Sequence, residues 1–342
     1  MILNVKQSPR KWRRIFVLAV LAAAEATAVA ADRPKEAPTV QNDTGGSALF
    51  WSEPSDWATR DLYYGPGGKA HEPHGPFTFE KEDLNGSSPK FVVRDPDGVK
   101  WKVKLGLEAR PETVATRLAW AAGYHANEDY FVRDMRVEGM PAHLHRGQRL
   151  IGPGGALHNV RLKREDEKKI GIWQWDRVDF ARSRQWNGLR TLMALIDNWD
   201  LKDDNNSVYR EDSQRIYMVS DLGASFGAAA KTWPINLAKD NLNSYTHSKF
   251  IRRIGPDTVD FQAPGRPTLI CLMNPKAYFM RVHLEHLGRN VPRADAKWLG
   301  ELLARLSPAQ IQDAFRAAGY SPDEIQAFSR VLEKRIVMLT DL

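Results

Sequence analysis

The sequence predicts an α+β fold in two parts, a sheet-rich N-terminal portion and a larger, mainly helical C-terminal one. Three observations carry this expectation. Two β-rich runs, Phe91-Val-Val-Arg94 and Val99 to Leu105, flank Asp95-Pro-Asp-Gly98, whose residue types favour a tight turn, so this segment predicts a hairpin. Leu189, Leu192, Met193 and Ile196 recur at i, i+3, i+4 and i+7, which predicts an amphipathic helix over 184–196. Near the C-terminus, Ser307-Pro-Ala-Gln310 and Ser321-Pro-Asp-Glu324 each combine an N-cap, a proline at the first helical position and a capping-box partner, so two helices close the chain.

At 342 residues and 42% hydrophobic content, the chain is long enough for a substantial core, and a disordered protein is excluded. The formal net charge of +7 is concentrated at the start. Residues 1–30 hold Lys6, Arg10, Lys11, Arg13 and Arg14 against Glu25 alone, leaving 44 basic and 41 acidic side chains, a net of +3, for the rest. That is too small an excess for a nucleic-acid-binding surface. The same leader runs from its basic residues into an apolar stretch at 15–24 and a small-residue Ala28-Val-Ala30 site, the pattern of a secretory signal peptide. Its removal implies a periplasmic or extracellular protein with no further membrane span; the alternative is an uncleaved N-terminal membrane anchor, which Glu25 and the shortness of the apolar run disfavour. Cys271 is the single cysteine, so no intramolecular disulfide forms.

Residues 31–48, rich in Pro, Gly, Asn and Thr, predict a flexible linker, after which an N-terminal lobe spans 49–162 and a C-terminal lobe 163–342. Gly65-Pro-Gly-Gly-Lys69 lacks the spacing and the Ser/Thr of a phosphate loop. After the hairpin, Pro111 opens a helix with Val114, Leu118 and Ala121 on one face, and Gly123 stands where a C-terminal cap is needed. Strands follow at 130–132 and 156–162, then the 184–196 helix. Ser207-Val-Tyr209 and the 216–219 run form a short hairpin that returns the chain toward its own start.

The chemistry lies around that hairpin. Asp200-Leu-Lys-Asp-Asp-Asn205 precedes it and Asp221-Leu-Gly223 follows it. An Asp and an Asn five apart, then an Asp before a glycine, supply the base and the hard oxygen ligands that phosphoryl transfer needs. In this assignment Asp200 orients or deprotonates an acceptor hydroxyl, Lys202 neutralises the transferring group, and Asn205 and Asp221 hold Mg²⁺, or Mn²⁺ in its place. Upstream, Lys104 lies on the strand face shared with Lys100 and Lys102, opposite Trp101 and Val103. Lys104 is assigned to the nucleotide phosphates and Glu112, in the first turn of the next helix, to Lys104. The loop Gly86-Ser87-Ser88-Pro89-Lys90 offers backbone N–H groups to the phosphates, with Gly86, Ser87, Ser88 and Lys90 as its contacts.

The order Gly86-Ser-Ser-Pro-Lys-Phe91, Trp101-Lys-Val-Lys104, Glu112, Asp200 to Asn205 and Asp221-Leu-Gly223 resembles atypical protein-kinase-like folds, with HipA-type and phosphatidylinositol kinases the nearest likenesses. In HipA-type proteins a Gly-x-x-Pro-Lys loop precedes a strand lysine, and a helix with an early Glu and a small-residue end, like Arg117-Leu-Ala-Trp-Ala-Ala-Gly123, follows. The resemblance, over about residues 79–250, implies a two-lobed protein-kinase-like fold: a small N-terminal antiparallel sheet lobe with one helix, and a larger helical lobe carrying the metal site. It also implies Mg-ATP as cofactor and transfer of a phosphoryl group to a hydroxyl on a protein, lipid or small-molecule acceptor. Asn198-Trp199 stands where many kinases carry His-Arg, Leu222 replaces the usual Phe, and no G-x-G-x-x-G is present, which excludes a conventional eukaryotic-type protein kinase.

Blander readings compete at each position. Asp and Asn are ordinary turn residues, three alternating lysines make an ordinary solvated strand face, Glu112 suits any helix N-terminus, and Lys202 suits any surface. The same residues would also serve a catalytically silent kinase-like binding module. Eleven tryptophans allow a glycan-binding envelope protein, although most sit beside apolar residues where core packing is expected. His143-Leu-His145 lacks a third ligand at metal-binding spacing.

Overall fold

A computed structural model describes residues 46–86, 88–165, 168–198, 200–227, 239–262, 275 and 285–342. The leader expected over 1–30, most of the 31–48 linker, Ser87 and Cys271 lie outside the described residues.

The fold mixes helices and sheets. Its first unit is built from β2 (Phe77–Glu82), β3 (Lys90–Arg94), β4 (Lys100–Lys104), β5 (Asp129–Glu138), β6 (Ile151–Gly152) and β7 (Ala156–Arg164). The hairpin expected around residues 95–98 is β3–β4, with Phe91 opposite Val103 and Val93 opposite Trp101. Asp95 locks its turn by accepting from Val99 N at 2.9 Å and from Trp101 Nε1 at 2.8 Å. β4 pairs with β7 on its other edge, β7 with β5, β5 with β2 and β2 with β3, so five strands close into a ring to which β6 adds along β7. This corrects the expectation of an antiparallel sheet. A ring with an odd number of strands cannot alternate direction throughout, and the parallel pair falls at β2–β5, where Phe77 meets Val137. Phe91, Val93, Trp101, Val103, Tyr130, Val137, Leu157, Val160 and Leu162 fill the interior, each 4% exposed or less. Burial of this kind contributes about 1.5–3 kcal/mol per large apolar side chain.

The helix after β4, α1 (Ala109–Ala121), has Pro111 in its first turn and Gly123 just past its end. Gly123 adopts φ +91°, and a Cβ there would stand 2.4 Å from Ser52 O, so no other residue fits. All of α1 except Arg110 and Trp120 is buried. Its apolar face belongs to the core of the second unit, where Val114, Leu118 and Ala119 join Leu189, Leu192 and the C-terminal helices.

That unit contains a four-stranded sheet ordered β1 (Ser47–Leu49), β10 (Gln214–Met218), β9 (Ser207–Glu211), β8 (Lys168–Gly171). The first described strand thus pairs in parallel with β10 rather than with the ring. The helices are α2 (Arg184–Leu195), α3 (Leu242–His247), α4 (Arg293–Leu303), α5 (Pro308–Ala317) and α6 (Pro322–Thr340). The expected capping boxes at Ser307/Gln310 and Ser321/Glu324 are both formed. A small sheet of β11 (Ile251–Ile254), β12 (Thr258–Phe261) and β13 (Val291–Pro292) completes the described chain. Helix α4 had no cap signal in the sequence, since its N-cap position is Pro292 and makes no side-chain bond. None of the eight described tryptophans is exposed, as expected of core and packing residues. Among the described residues no helix is long and apolar enough to cross a membrane.

Candidate active site

Lys104 ends β4 between two neighbours in the ring, Lys90 on β3 and Arg161 on β7. The alternation that turns Trp101 and Val103 inward turns Lys100, Lys102 and Lys104 to the other face, and each lysine has its own partners there. Lys100 pairs with Glu80, and Lys102 with Asp83 and Glu165. Lys104 alone is buried, at 4% exposure, and its ammonium is surrounded by carboxylates: Asp221 Oδ1 at 2.6 Å, Glu112 Oε2 at 2.7 Å and Glu108 Oε2 at 3.1 Å. Burial opposes charge on Lys104, but Glu112, Asp221 and Glu108 outweigh it and hold the ammonium protonated far above its ordinary range.

Glu112 is placed from both sides. One oxygen meets Lys104, and the other accepts from Arg161 Nη2 at 2.6 Å; Arg161 in turn lies 3.5 Å from Asp129. All four groups are 4% exposed or less, so they form a buried row of alternating charge that fixes α1 against the ring. Glu108 and Arg161 were absent from the sequence-derived site. Glu108 is the N-cap of α1, a position where an acid is ordinary, and Arg161 stands in a strand whose pairing with β4 joins residues far apart in the chain.

The loop before β3 reaches the same place. Ser88 Oγ donates to Glu108 Oε2 at 2.9 Å. The Lys90 ammonium curls beneath Gly86, 3.5 Å from where a Cβ on that glycine would stand. Desolvation lowers the Lys90 pKa, opposed by Asp83 and Asp221. Arg146 holds the loop from outside by donating to the carbonyls of Gly86 and Asp83.

Asp221 arrives from β10. It takes φ +54°, a conformation that Asp tolerates better than most residues and that clusters at functional sites. Its side chain is 45% exposed while Oδ1 touches Lys104. Burial would raise its pKa, but Lys104, Arg161 and Lys90 together hold the carboxyl well below the usual range. Gly223 two residues on lies against α1, where a Cβ would come within 2.6 Å of Glu108 Cβ. Phe226 then inserts among Tyr245 and Phe315, at ring distances of 5.4 and 5.5 Å, and anchors the end of the turn.

Asp200, Lys202 and Asn205 form a second group. Lys202 Nζ is 2.8 Å from Asp200 Oδ2, and Asn205 Nδ2 donates to Asp200 O at 2.6 Å. No direct contact joins this group to Lys104 among the described residues. The link is Asn198, 3% exposed: its Oδ1 accepts from Asp200 N at 3.0 Å and its Nδ2 donates to Ser225 Oγ at 3.1 Å, while Ser225 Oγ donates to Leu222 O at 2.7 Å. Phe226 N bonds Ile196 O at 2.7 Å beside it. The β9–β10 hairpin, with Ser207 opposite Met218, returns both loops to one end. Arg335 of α6 braces the turn from behind, donating to Leu195 O at 2.8 Å and to Asp197 Oδ2 at 3.2 Å.

Carboxylate oxygens of Glu108, Glu112 and Asp221 lie within 4.8 Å of one another, a spacing that suits a cation, and the Lys104 ammonium stands among them. Asp221, with Oδ1 on Lys104, and Asn205, with its amide nitrogen on Asp200 O, carry hard oxygens of the type Mg²⁺ and Mn²⁺ prefer.

No protein-family model and no curated protein matches this chain. Among solved structures, it is similar to the Helicobacter pylori proinflammatory kinase CtkA, with 10% identity, 77% of this chain and 98% of that one covered, and a TM-score of 0.33. It is also similar to HipA of Shewanella oneidensis, solved with HipB and operator DNA, with 12% identity, 80% and 69% coverage and a TM-score of 0.35. A third is the Golgi casein kinase, with 12% identity, 77% and 74% coverage and a TM-score of 0.30, which has also been solved with Mn/ADP bound. These neighbours are kinases or kinase-like. At such scores and identities the likeness carries no conclusion about the chemistry of this chain; the side chains around Lys104 do.

Proposed function

We propose that this protein is an atypical, two-lobed kinase-like phosphotransferase that moves a phosphoryl group from Mg-ATP to a hydroxyl acceptor. The observation that carries the reading is the convergence on Lys104: a buried strand lysine held by a helix glutamate at 2.7 Å and by the aspartate of an Asp-x-Gly turn at 2.6 Å. Here a second cation, Arg161, keeps Glu112 in place, and a loop stitched to Asp200 brings the Asp221 carboxylate to Lys104 from a distant part of the chain. The blander alternatives explain each residue but not their meeting.

In this reading Lys104 and Lys90 bind phosphate oxygens under the Gly86–Lys90 loop, with Ser88 as a further donor. Asp221 and Asn205 would hold a divalent cation, which would supply neutralisation of the phosphate charge. Asp200, fixed by Asn198 and Lys202, accepts the proton of the acceptor hydroxyl as its oxygen bonds to the γ-phosphorus and the bond to the leaving β-phosphate oxygen breaks. Export by the N-terminal leader is part of the same proposal, and the acceptor is then a molecule of the periplasm or the extracellular space.

Incubating the full chain with γ-labelled ATP and Mg²⁺ or Mn²⁺ tests this. Label transferred to the protein or to an added acceptor is the expected result, reduced about 10²–10⁴-fold in Asp200→Asn and abolished in Asp221→Asn. Absence of both nucleotide binding and transfer contradicts the proposal; binding without transfer, unchanged in Asp200→Asn, identifies a silent binding module.

A further inference from the structure

Glu108 gathers three donors from three parts of the chain. Its Oε2 accepts from Ser88 Oγ at 2.9 Å and lies 3.1 Å from Lys104 Nζ, while its Oε1 meets Lys239 Nζ. A loop hydroxyl and two ammonium groups are what a phosphate oxygen seeks, and two of the three belong to the phosphate-binding set proposed above. The side chain is 16% exposed, and Lys104 and Lys239 hold its pKa down at about 2 against the effect of burial, so it is an anion at any physiological pH. Its backbone is held, since its carbonyl accepts the first bond of α1 from Glu112 N at 3.1 Å and its Cβ lies against Gly223. Only rotation of the side chain frees the donors. Lys104 would stay in place after such a rotation, because Glu112, braced by Arg161, holds it from another side.

We propose that Glu108 is a built-in competitor for this site: its carboxylate takes the position beside Lys104 and Ser88 that a nucleotide's polyphosphate requires, and binding displaces it. The inference rests on reading the site as one for nucleotide phosphates. It makes affinity for polyanions a property that one side chain sets, and it makes Lys239 the residue that draws Glu108 back.

The test uses the full chain, first with chelator present, titrated calorimetrically with inorganic tripolyphosphate and with ATP, for wild type, Glu108→Gln and Glu108→Asp. Removing a resident negative charge a few ångströms from the bound anion is expected to tighten binding by about tenfold in Glu108→Gln. Glu108→Asp keeps the charge but shortens its reach, and is expected to fall between. Equal or weaker binding by both variants, with wild type still binding, overturns the competitor while the phosphate site stands. A repeat with Mn²⁺ in which Glu108→Gln loses metal-dependent binding also overturns it, by making Glu108 a metal ligand. If neither wild type nor variants bind either compound with or without Mn²⁺, the phosphate site itself falls and the competitor with it.

Discussion

Asn198 holds two loops with one amide. Its oxygen takes the backbone N–H of Asp200 and its nitrogen donates to Ser225, which holds Leu222, so the proposed base and the proposed metal ligand are coupled through a single buried side chain. Truncation removes both bonds and leaves Ser225, which is fully buried, with an unmet acceptor. Asn198→Ala is expected to lower kcat by about tenfold to a hundredfold with little change in KM for ATP, because geometry at the reacting oxygen is lost while the phosphate contacts remain. A change in KM alone, measured by steady-state kinetics, would contradict a coupling role. The sequence marked this position only as a departure from His-Arg, because an amide's two-sided bonding is visible only once Ser225 is known to lie beside it.

At the scale of elements, α1 is tied to the ring by charge as much as by packing. Lys104 on β4, Glu112 on α1, Arg161 on β7 and Asp129 on β5 alternate in sign, and Thr116 Oγ1 donates to Asp129 at 2.9 Å from the next turn of the helix. Removing one member leaves a buried charge without its counterpart. Arg161→Met is therefore expected to destabilise the fold by about 3–5 kcal/mol, read as a lower denaturant midpoint at unchanged slope. An effect below about 1 kcal/mol would mean that the row is not what holds α1. The β3–β4 hairpin and the two capped terminal helices were legible because their signals are local: a turn of Asp95-Pro-Asp-Gly98, and Ser-Pro-x-Gln/Glu. Arg161 was not legible, since its partner strand β4 and partner helix α1 are distant in sequence and nothing in 156–162 distinguishes an arginine facing a glutamate from one facing water. The closure of the ring was hidden for the same reason, being set by the pairing of β4 with β7 and of β2 with β5.

Across the whole molecule, the site exists because five segments come together. The Gly86–Lys90 loop and β4 come from the ring, α1 packs its apolar face into the core of the second unit and reaches the ring through Glu112, and the 198–206 and 219–226 loops come from the second unit, with Lys104 and Asp221 separated by 117 residues. Lys104, Glu112 and Asp221 were legible as candidates from order and residue type, although their distances were not. Glu108, Lys239 and Arg161 entered only through the tertiary structure. The most direct test is a crystal soaked with Mn²⁺ and a non-hydrolysable ATP analogue, examined by anomalous diffraction. Manganese is expected against Asp221 and Asn205 with phosphate oxygens on Lys104; phosphates bound elsewhere, or a metal that avoids Asp221, would overturn the proposed site.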